Sequence, residues 1–225
     1  MAAREQPFPS ARAARSPALR DLGLSTDRPL IVVDVDEVLG LFVQGFGDFL
    51  AEQGLDLRIE RYALFESIFR PEATEPLSQA EGQALYDAYF HTHCGRMEPV
   101  PGAAAAIARL SRRAGVVFLS NAPAQAETPR RDWLRRHGLV HPLILNRGPK
   151  GPVTAGLVRQ TRGRSAFIDD ILANLDSVAD HAPATATFQH VADKRLRPLA
   201  PTSDRHRRID DWAELAEAVE AAVLG

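Results

Sequence analysis

The stretch Pro29-Leu30-Ile31-Val32-Val33-Asp34-Val35-Asp36-Glu37 decides the architecture. Its apolar run shows no polar alternation and ends in β-branched residues, the pattern of a strand buried on both faces of a parallel sheet. Carboxylates are foreign to such a strand, so Asp34 and Asp36 mark where it ends. The same arrangement recurs further along the chain. Gly115-Val116-Val117-Phe118-Leu119 runs into Ser120-Asn121, Leu143-Ile144-Leu145 into Asn146, and Ser165-Ala166-Phe167-Ile168 into Asp169-Asp170. Thr185-Ala186-Thr187-Phe188 is a weaker fifth run. Helical spacing occupies 102–113, 123–137 (closed by Gly138), 171–180 and 210–224. Strands alternating with helices predict an α/β fold with a doubly wound parallel sheet. Ligands in that architecture lie beyond the carboxyl ends of the strands, where these acids, Ser120 and Asn121 gather.

Residues 42–99 break the alternation. Spacing there predicts helices near 43–53, 57–69 and 78–91, and the segment carries Phe42, Phe46, Phe49, Tyr62, Phe65, Phe69, Tyr86, Tyr89 and Phe90. A crossover between parallel strands needs far fewer residues, so the segment is expected to be a helical cap standing over the crevice. Residues 26–41 and 100–225 then form the core. The Arg- and Pro-rich start, 1–25, is expected to be a disordered extension; it lacks the apolar centre of a secretory signal, and an organelle transit peptide is the alternative.

Composition sets limits on function. The chain has 225 residues, 45% hydrophobic and 25% charged, which excludes a wholly disordered or fibrous protein. Net charge is −2 with pI near 6.4, so the chain as a whole carries no electrostatic footprint for nucleic acid. Apolar runs fall far short of the ~18 residues of a membrane span. The single cysteine, Cys94, permits neither an internal disulfide nor a paired-cysteine metal site. The expectation is a soluble, cytoplasmic monomer or homodimer.

Asp34 and Asp36, two residues apart at a strand end, can point to one side of the sheet. With Asp169 and Asp170 on a nearby strand they bring several negative charges into one crevice, which raises pKa values unless a cation is present. An oxygen-only cluster selects a hard ion such as Mg²⁺, which keeps positions open for phosphate oxygens. Ser120 and Asn121 supply donors for a phosphate near a helix N-terminus. Lys150, in Gly148-Pro149-Lys150-Gly151-Pro152, supplies a cation in the loop after a strand, with Arg147 as substitute.

These motifs, in this order, resemble the haloacid dehalogenase-like hydrolase superfamily in its phosphatase branch. Asp34-Val35-Asp36-Glu37-Val38 is similar to the first motif, Val116 to Ser120 to the second, Lys150 to the third, and Phe167-Ile168-Asp169-Asp170 to the fourth. The resemblance implies a Rossmann-like core with a helical cap, and a Mg²⁺-dependent phosphatase acting on a small phosphorylated metabolite. It implies that Asp34 is the nucleophile, forming an aspartyl-phosphate, and that Asp36 is the general acid and base. Metal ligation would fall to Asp34, the Asp36 carbonyl, Asp169 and Asp170, and phosphoryl binding to Ser120, Asn121 and Lys150. A sugar-phosphate mutase type of phosphotransferase and a non-catalytic phospho-ligand binder are the alternatives. Asp34→Asn or Asp36→Asn is expected to leave the fold intact while abolishing turnover. Two departures stand out. Glu37 replaces the family's frequent glycine and puts a further carboxylate near the mouth, and Ala173 stands where a second acid often follows Asp169.

Three other features read as structural. His91-Thr92-His93-Cys94 lacks metal-ligand spacing and is expected to close the cap, facing the substrate. The basic run 205–208 is flanked by acids and reads as a solvated loop. Trp133 and Trp212 sit within amphipathic helices as packing residues.

Overall fold

The computed structural model describes residues 16–225. In chain order its elements are β1 (Leu30–Val33), α1 (Phe42–Glu52), β2 (Asp56–Leu57), β3 (Ile68–Phe69), α2 (Gln79–Thr92), α3 (Ala103–Ser111), β4 (Gly115–Ser120), α4 (Glu127–Arg136), β5 (Leu143–Leu145), α5 (Gly151–Val158), β6 (Ser165–Asp169), α6 (Leu172–His181), β7 (Ala186–Gln189), β8 (Arg207–Arg208) and α7 (Trp212–Leu224). Six parallel strands form one sheet in the order β5-β4-β1-β6-β7-β8. The chain winds from β1 outward to β5, then returns past β1 to build the other half. The crevice of such a sheet opens where the direction reverses, beyond β1.

Register places the functional strand ends side by side. Val33 pairs with Phe118 on one flank and Ile168 on the other. Asp34 therefore stands level with the end of β4 and the end of β6. Side chains alternate across the sheet. Ile31, Val33, Val116, Phe118, Ala166 and Ile168 face a core shared with α1, α2, α3, α4 and α7. Leu30, Val32, Val117, Leu119 and Phe167 face Val153 and Leu157 of α5 and Leu175 and Val178 of α6.

Four local readings are corrected. The spacing over 57–69 is not a helix: Asp56-Leu57 pairs antiparallel with Ile68-Phe69, and the Arg58 guanidinium lies 4.4 Å over the Phe69 ring. A β-branched and aromatic pair favours a strand, and cross-strand packing overrides the helical spacing. Gly148, Pro149 and Lys150 form the expected loop after β5, but helix α5 begins at Gly151, where Gly151 and Pro152 read as that loop's continuation; Pro152 lies in its first turn, where a missing N–H costs nothing. Arg207-Arg208 of the basic run forms the edge strand β8, and Arg205 pairs with Asp176 and Asp180. The expected disordered extension is packed from Ser16 onward: Leu19 is buried in the core beside α5, and its N–H donates to Gln160 Oε1 at 2.9 Å. Residues 1–15 of that extension lie outside the described residues.

Candidate active site

Asp34 leaves β1 with its backbone N–H still donating to Ile168 O at 2.9 Å, so its carboxylate is aimed by the sheet itself. Lys150, at the N-terminus of α5, reaches it: Nζ lies 2.6 Å from Asp34 Oδ1 and 2.7 Å from Asp169 Oδ2. The ammonium is 1% exposed. Burial opposes its charge, but Asp169 and Asp34 outweigh burial and hold it protonated. Asp169, fully buried, is fixed on its other side. Its Oδ1 accepts from the Ile171 N–H at 2.9 Å and from Asn174 Nδ2 at 3.1 Å.

Carboxylate oxygens of Asp34, Asp169 and Asp170 all lie within 4.8 Å of one another. Three carboxylates against one ammonium leave two negative charges uncompensated in a buried site. Burial and like charge together oppose ionisation there. Burial pushes the Asp34 carboxyl up to about 7, with Lys150 opposing and Asp169 and Asp36 adding to it. Burial first, then Asp169 and Asp34, push Asp170 well above the carboxylate range. A donor set of oxygens with a deficit of two positive charges fits a divalent cation. Asp34, Asp169 and Asp170 are the side chains that would hold it.

Asp36 points elsewhere. Its Oδ1 accepts from Arg130 Nη2 at 2.7 Å and its Oδ2 from Ser120 Oγ at 3.2 Å. The side chain of Asp36 is thus outside the carboxylate cluster. Arg130, on α4, is fully buried; burial opposes its charge, Asp36 outweighs that, and its Cζ sits 5.2 Å from the Phe90 ring centroid. Its Nε and Nη1 have no hydrogen-bond partner among the described residues. Neutralising Asp36 therefore leaves a buried cation without its carboxylate, so a cost in stability is expected beside the loss of turnover.

Ser120, fully buried, also accepts from the Ala122 N–H at 3.2 Å. Asn121 lies at the cavity but its amide is engaged: Nδ2 donates to Gly148 O at 3.1 Å and Oδ1 accepts from Asn146 Nδ2 at 2.9 Å. Arg147 is exposed, whereas Lys150 is in place.

Glu37 lines the cavity, as expected of a carboxylate near its mouth, but both its oxygens are engaged by backbone. It is 3% exposed, sits at φ +59°, and its Oε1 and Oε2 accept from the Val43 and Asp193 N–H groups at 2.8 and 3.1 Å. It ties the start of α1 to the loop after β7. Burial pushes it up to about 7 despite those two amides. Residues 91–94, by contrast, do not line the cavity, which departs from the expectation that they face the substrate. His93 Nε2 contacts Glu52 at 3.0 Å, Cys94 is buried with its thiol on Phe90 O, and His91 is exposed. Trp133 and Trp212 pack as expected, their indole N–H groups donating to Met97 O and Val38 O.

A cavity of about 270 Å³ opens over these groups, between the strand ends and the segment linking β1 to α3. From that segment Tyr62 reaches the acids, its hydroxyl donating to Asp170 Oδ2 at 2.6 Å. Burial, then Asp170, push its phenol well up. Tyr62, Asn174 and Arg130 are the site residues that the sequence reading does not single out. Arg130 alone leaves a trace there: it shares a helix face with Trp133 and Leu134, an arginine on the apolar stripe.

No protein-family model and no curated protein matches the chain. Solved structures do resemble it. YfnB of Bacillus subtilis, described as a HAD-hydrolase and bound to magnesium, aligns with TM-score 0.59 and 13% identity over 86% of this chain and 99% of its own. D,D-heptose 1,7-bisphosphate phosphatase of B. bronchiseptica, complexed with magnesium and phosphate, gives 0.50 and 17% over 86% and 98%. The L-2-haloacid dehalogenase of Xanthobacter autotrophicus, with chloropropionic acid covalently bound, gives 0.52 and 12% over 85% and 98%. Among the described residues, no helix is long and apolar enough to cross a membrane. The parallel sheet order, the crevice beyond β1 and these alignments agree on one point: the chain has the fold of the haloacid dehalogenase-like hydrolases.

Proposed function

We propose that this protein is a phosphatase that uses Mg²⁺ and an aspartyl-phosphate on Asp34 to hydrolyse a small phosphorylated metabolite. The observation that carries this reading is the Lys150 ammonium held between Asp34 and Asp169, with Asp170 alongside, on the floor of a cavity. Bound Mg²⁺ would supply charge neutralisation for the phosphoryl oxygens.

An Asp34 carboxylate oxygen attacks phosphorus, and the bond from phosphorus to the ester oxygen breaks. A substrate bound as its monoanion passes its proton to Asp36, which hands it to the departing alkoxide and is again the carboxylate that pairs with Arg130. Asp36 then takes a proton from the water that attacks the acyl phosphate, releasing inorganic phosphate and restoring Asp34. Proton transfer runs through Asp36 Oδ2, because Oδ1 stays on Arg130 while Oδ2 is held only by the 3.2 Å contact from Ser120. Turning the Ser120 hydroxyl toward a phosphoryl oxygen frees Oδ2 at the moment substrate arrives. Lys150 steadies Asp34 and the developing charge. The domain reading follows from this chemistry: 42–99 acts as a cap that excludes water from the acyl phosphate.

Phosphate release from a generic aryl phosphate, with Mg²⁺ and then with excess EDTA, tests the reading. Release that needs Mg²⁺ and falls by at least ~10⁴-fold in Asp34→Asn supports it. Wild-type turnover in Asp34→Asn refutes it, and return of the phosphoryl group to a second substrate position without phosphate release identifies a phosphotransferase.

A further inference from the structure

The cavity has two chemically different ends. At the floor stand the acids, Lys150 and Asn174. The opposite wall, supplied by the segment between β1 and α3, is built from Phe42, Val43, Leu57, Ile59, Leu64 and Tyr86. Polar side chains of that segment reach the cavity too, but most are already engaged. The Ser67 hydroxyl donates to Ala63 O at 2.6 Å, and the Tyr62 hydroxyl to Asp170 Oδ2 at 2.6 Å. Arg61 is exposed and pairs with Glu66 at 3.2 Å. On the core side, the Asn121 amide is engaged with Gly148 and Asn146, and Leu196 adds a further apolar surface. The Glu37 carboxylate is taken up by the Val43 and Asp193 N–H groups, whereas the Tyr86 hydroxyl on the wall makes no hydrogen bond to a described residue.

We infer that the group leaving phosphorus is a compact apolar alcohol or phenol, so that the substrate is the monophosphate ester of a small hydrocarbon-like or aromatic alcohol rather than of a sugar. The inference rests on the phosphatase reading above and deepens it. A cavity of about 270 Å³ lies below the ~300–1,000 Å³ of ordinary ligand sites, so a phosphoryl group and one small substituent fill it. A sugar phosphate would press several hydroxyls against Leu57, Ile59 and Phe42, with the Tyr86 hydroxyl inside and the Arg61 guanidinium at the exposed rim as the partners left to answer them. Each hydroxyl stripped of water and left unpaired weakens binding about tenfold. An apolar substituent loses nothing there and removes its own surface from water.

The test compares esters whose leaving alcohols are equally poor, so that only the wall discriminates. Phosphate release by the full chain with Mg²⁺ is measured on isopentyl phosphate, glycerol 3-phosphate, glucose 6-phosphate and a nucleoside monophosphate. The expected kcat/KM for isopentyl phosphate exceeds that for each polyol ester by about 100-fold or more. Ile59→Asn, which brings an amide to the wall, narrows the ratio by about tenfold. Equal rates across the panel, or a preference for the sugar or nucleoside ester, overturn the inference and leave the phosphatase reading standing. Absence of phosphate release from every ester overturns the phosphatase reading instead. Calorimetric binding of pentylphosphonate against 2,3-dihydroxypropylphosphonate, with Mg²⁺, then judges the wall alone. At least tenfold tighter binding of the apolar compound upholds its preference, and equal affinity refutes it.

Discussion

The Asp36–Arg130 pair makes an unequal prediction for its two members. The Arg130 side chain is 0% exposed and that of Asp36 is 20% exposed. Asp36→Ala leaves a guanidinium in the core whose Nε and Nη1 have no hydrogen-bond partner among the described residues. Stranding one member of a buried pair costs about 3–5 kcal/mol, and the full burial of Arg130 puts this variant in that range. Arg130→Met removes the charge and keeps much of the packing over Phe90. It leaves Asp36 partly in water and still bonded to Ser120, so its cost is lower, about 1–2 kcal/mol. The double variant carries neither charge and should recover most of the loss, with a coupling energy of about 2–4 kcal/mol. Urea unfolding followed by tryptophan fluorescence is the assay, since Trp133 lies on the same helix as Arg130. At about 2–4 °C per kcal/mol for a chain of this size, a loss of about 3 kcal/mol in Asp36→Ala appears as a Tm about 6–12 °C lower. An Asp36→Ala cost under ~1 kcal/mol, or single costs that simply add in the double variant, would refute the argument.

Three further outcomes follow from the site. Glu37 titrates near 7 in the folded chain against 4.5 unfolded, so its contribution is fully present below about pH 4.5 and is lost as pH rises through about 7. That amounts to roughly 3 kcal/mol, and urea unfolding across this window should show a shallower decline in Glu37→Gln; identical slopes would contradict it. Mg²⁺ at about a hundred times its Kd should stabilise the protein by about 2.7 kcal/mol, a Tm rise of about 5–11 °C that EDTA abolishes and Asp170→Asn largely removes. An unchanged Tm in saturating Mg²⁺ would speak against the carboxylate cluster as a cation site. Asp36→Asn should lower phosphate release by about 10²–10⁴-fold, and a near-wild-type rate would remove it from proton transfer.

Much of this site could be read from one chain because parallel strands are buried on both faces. A run such as Ile31-Val32-Val33 has no choice of partner, and an acid can stand only at its end. Four such runs therefore gave both the sheet and the line of polar groups along its carboxyl edge. What stayed hidden depends on pairing across long sequence distances. Arg130 meets Asp36 over 94 residues, and Tyr62 meets Asp170 over 108. No local spacing encodes either contact. The hairpin at 56–69 was lost to helical periodicity for the same reason, since its partner strand supplies what propensity does not. Helix α5 was masked by its own start, because Pro152 and Gly151 read as a turn until the packing of Val153 and Leu157 is known.

Gly151 follows Lys150 directly, and its N–H donates to Ser177 Oγ of α6 at 3.1 Å; a Cβ there would collide with the Ser177 carbonyl. The helix bearing the site's ammonium is thus seated on the helix that begins just after its two paired acids. Charge separation at the reaction centre is in effect calibrated by a backbone contact on the far side of the sheet from the cap. Of the two positions, 151 is the one whose substitution disturbs more. Side chains at 177 can be exchanged at the cost of one hydrogen bond, whereas any residue larger than glycine at 151 must move a helix and carry the lysine with it. The two ends of the cavity therefore answer to different constraints, with chemistry held by the spacing of α5 and α6 and selectivity left to the wall.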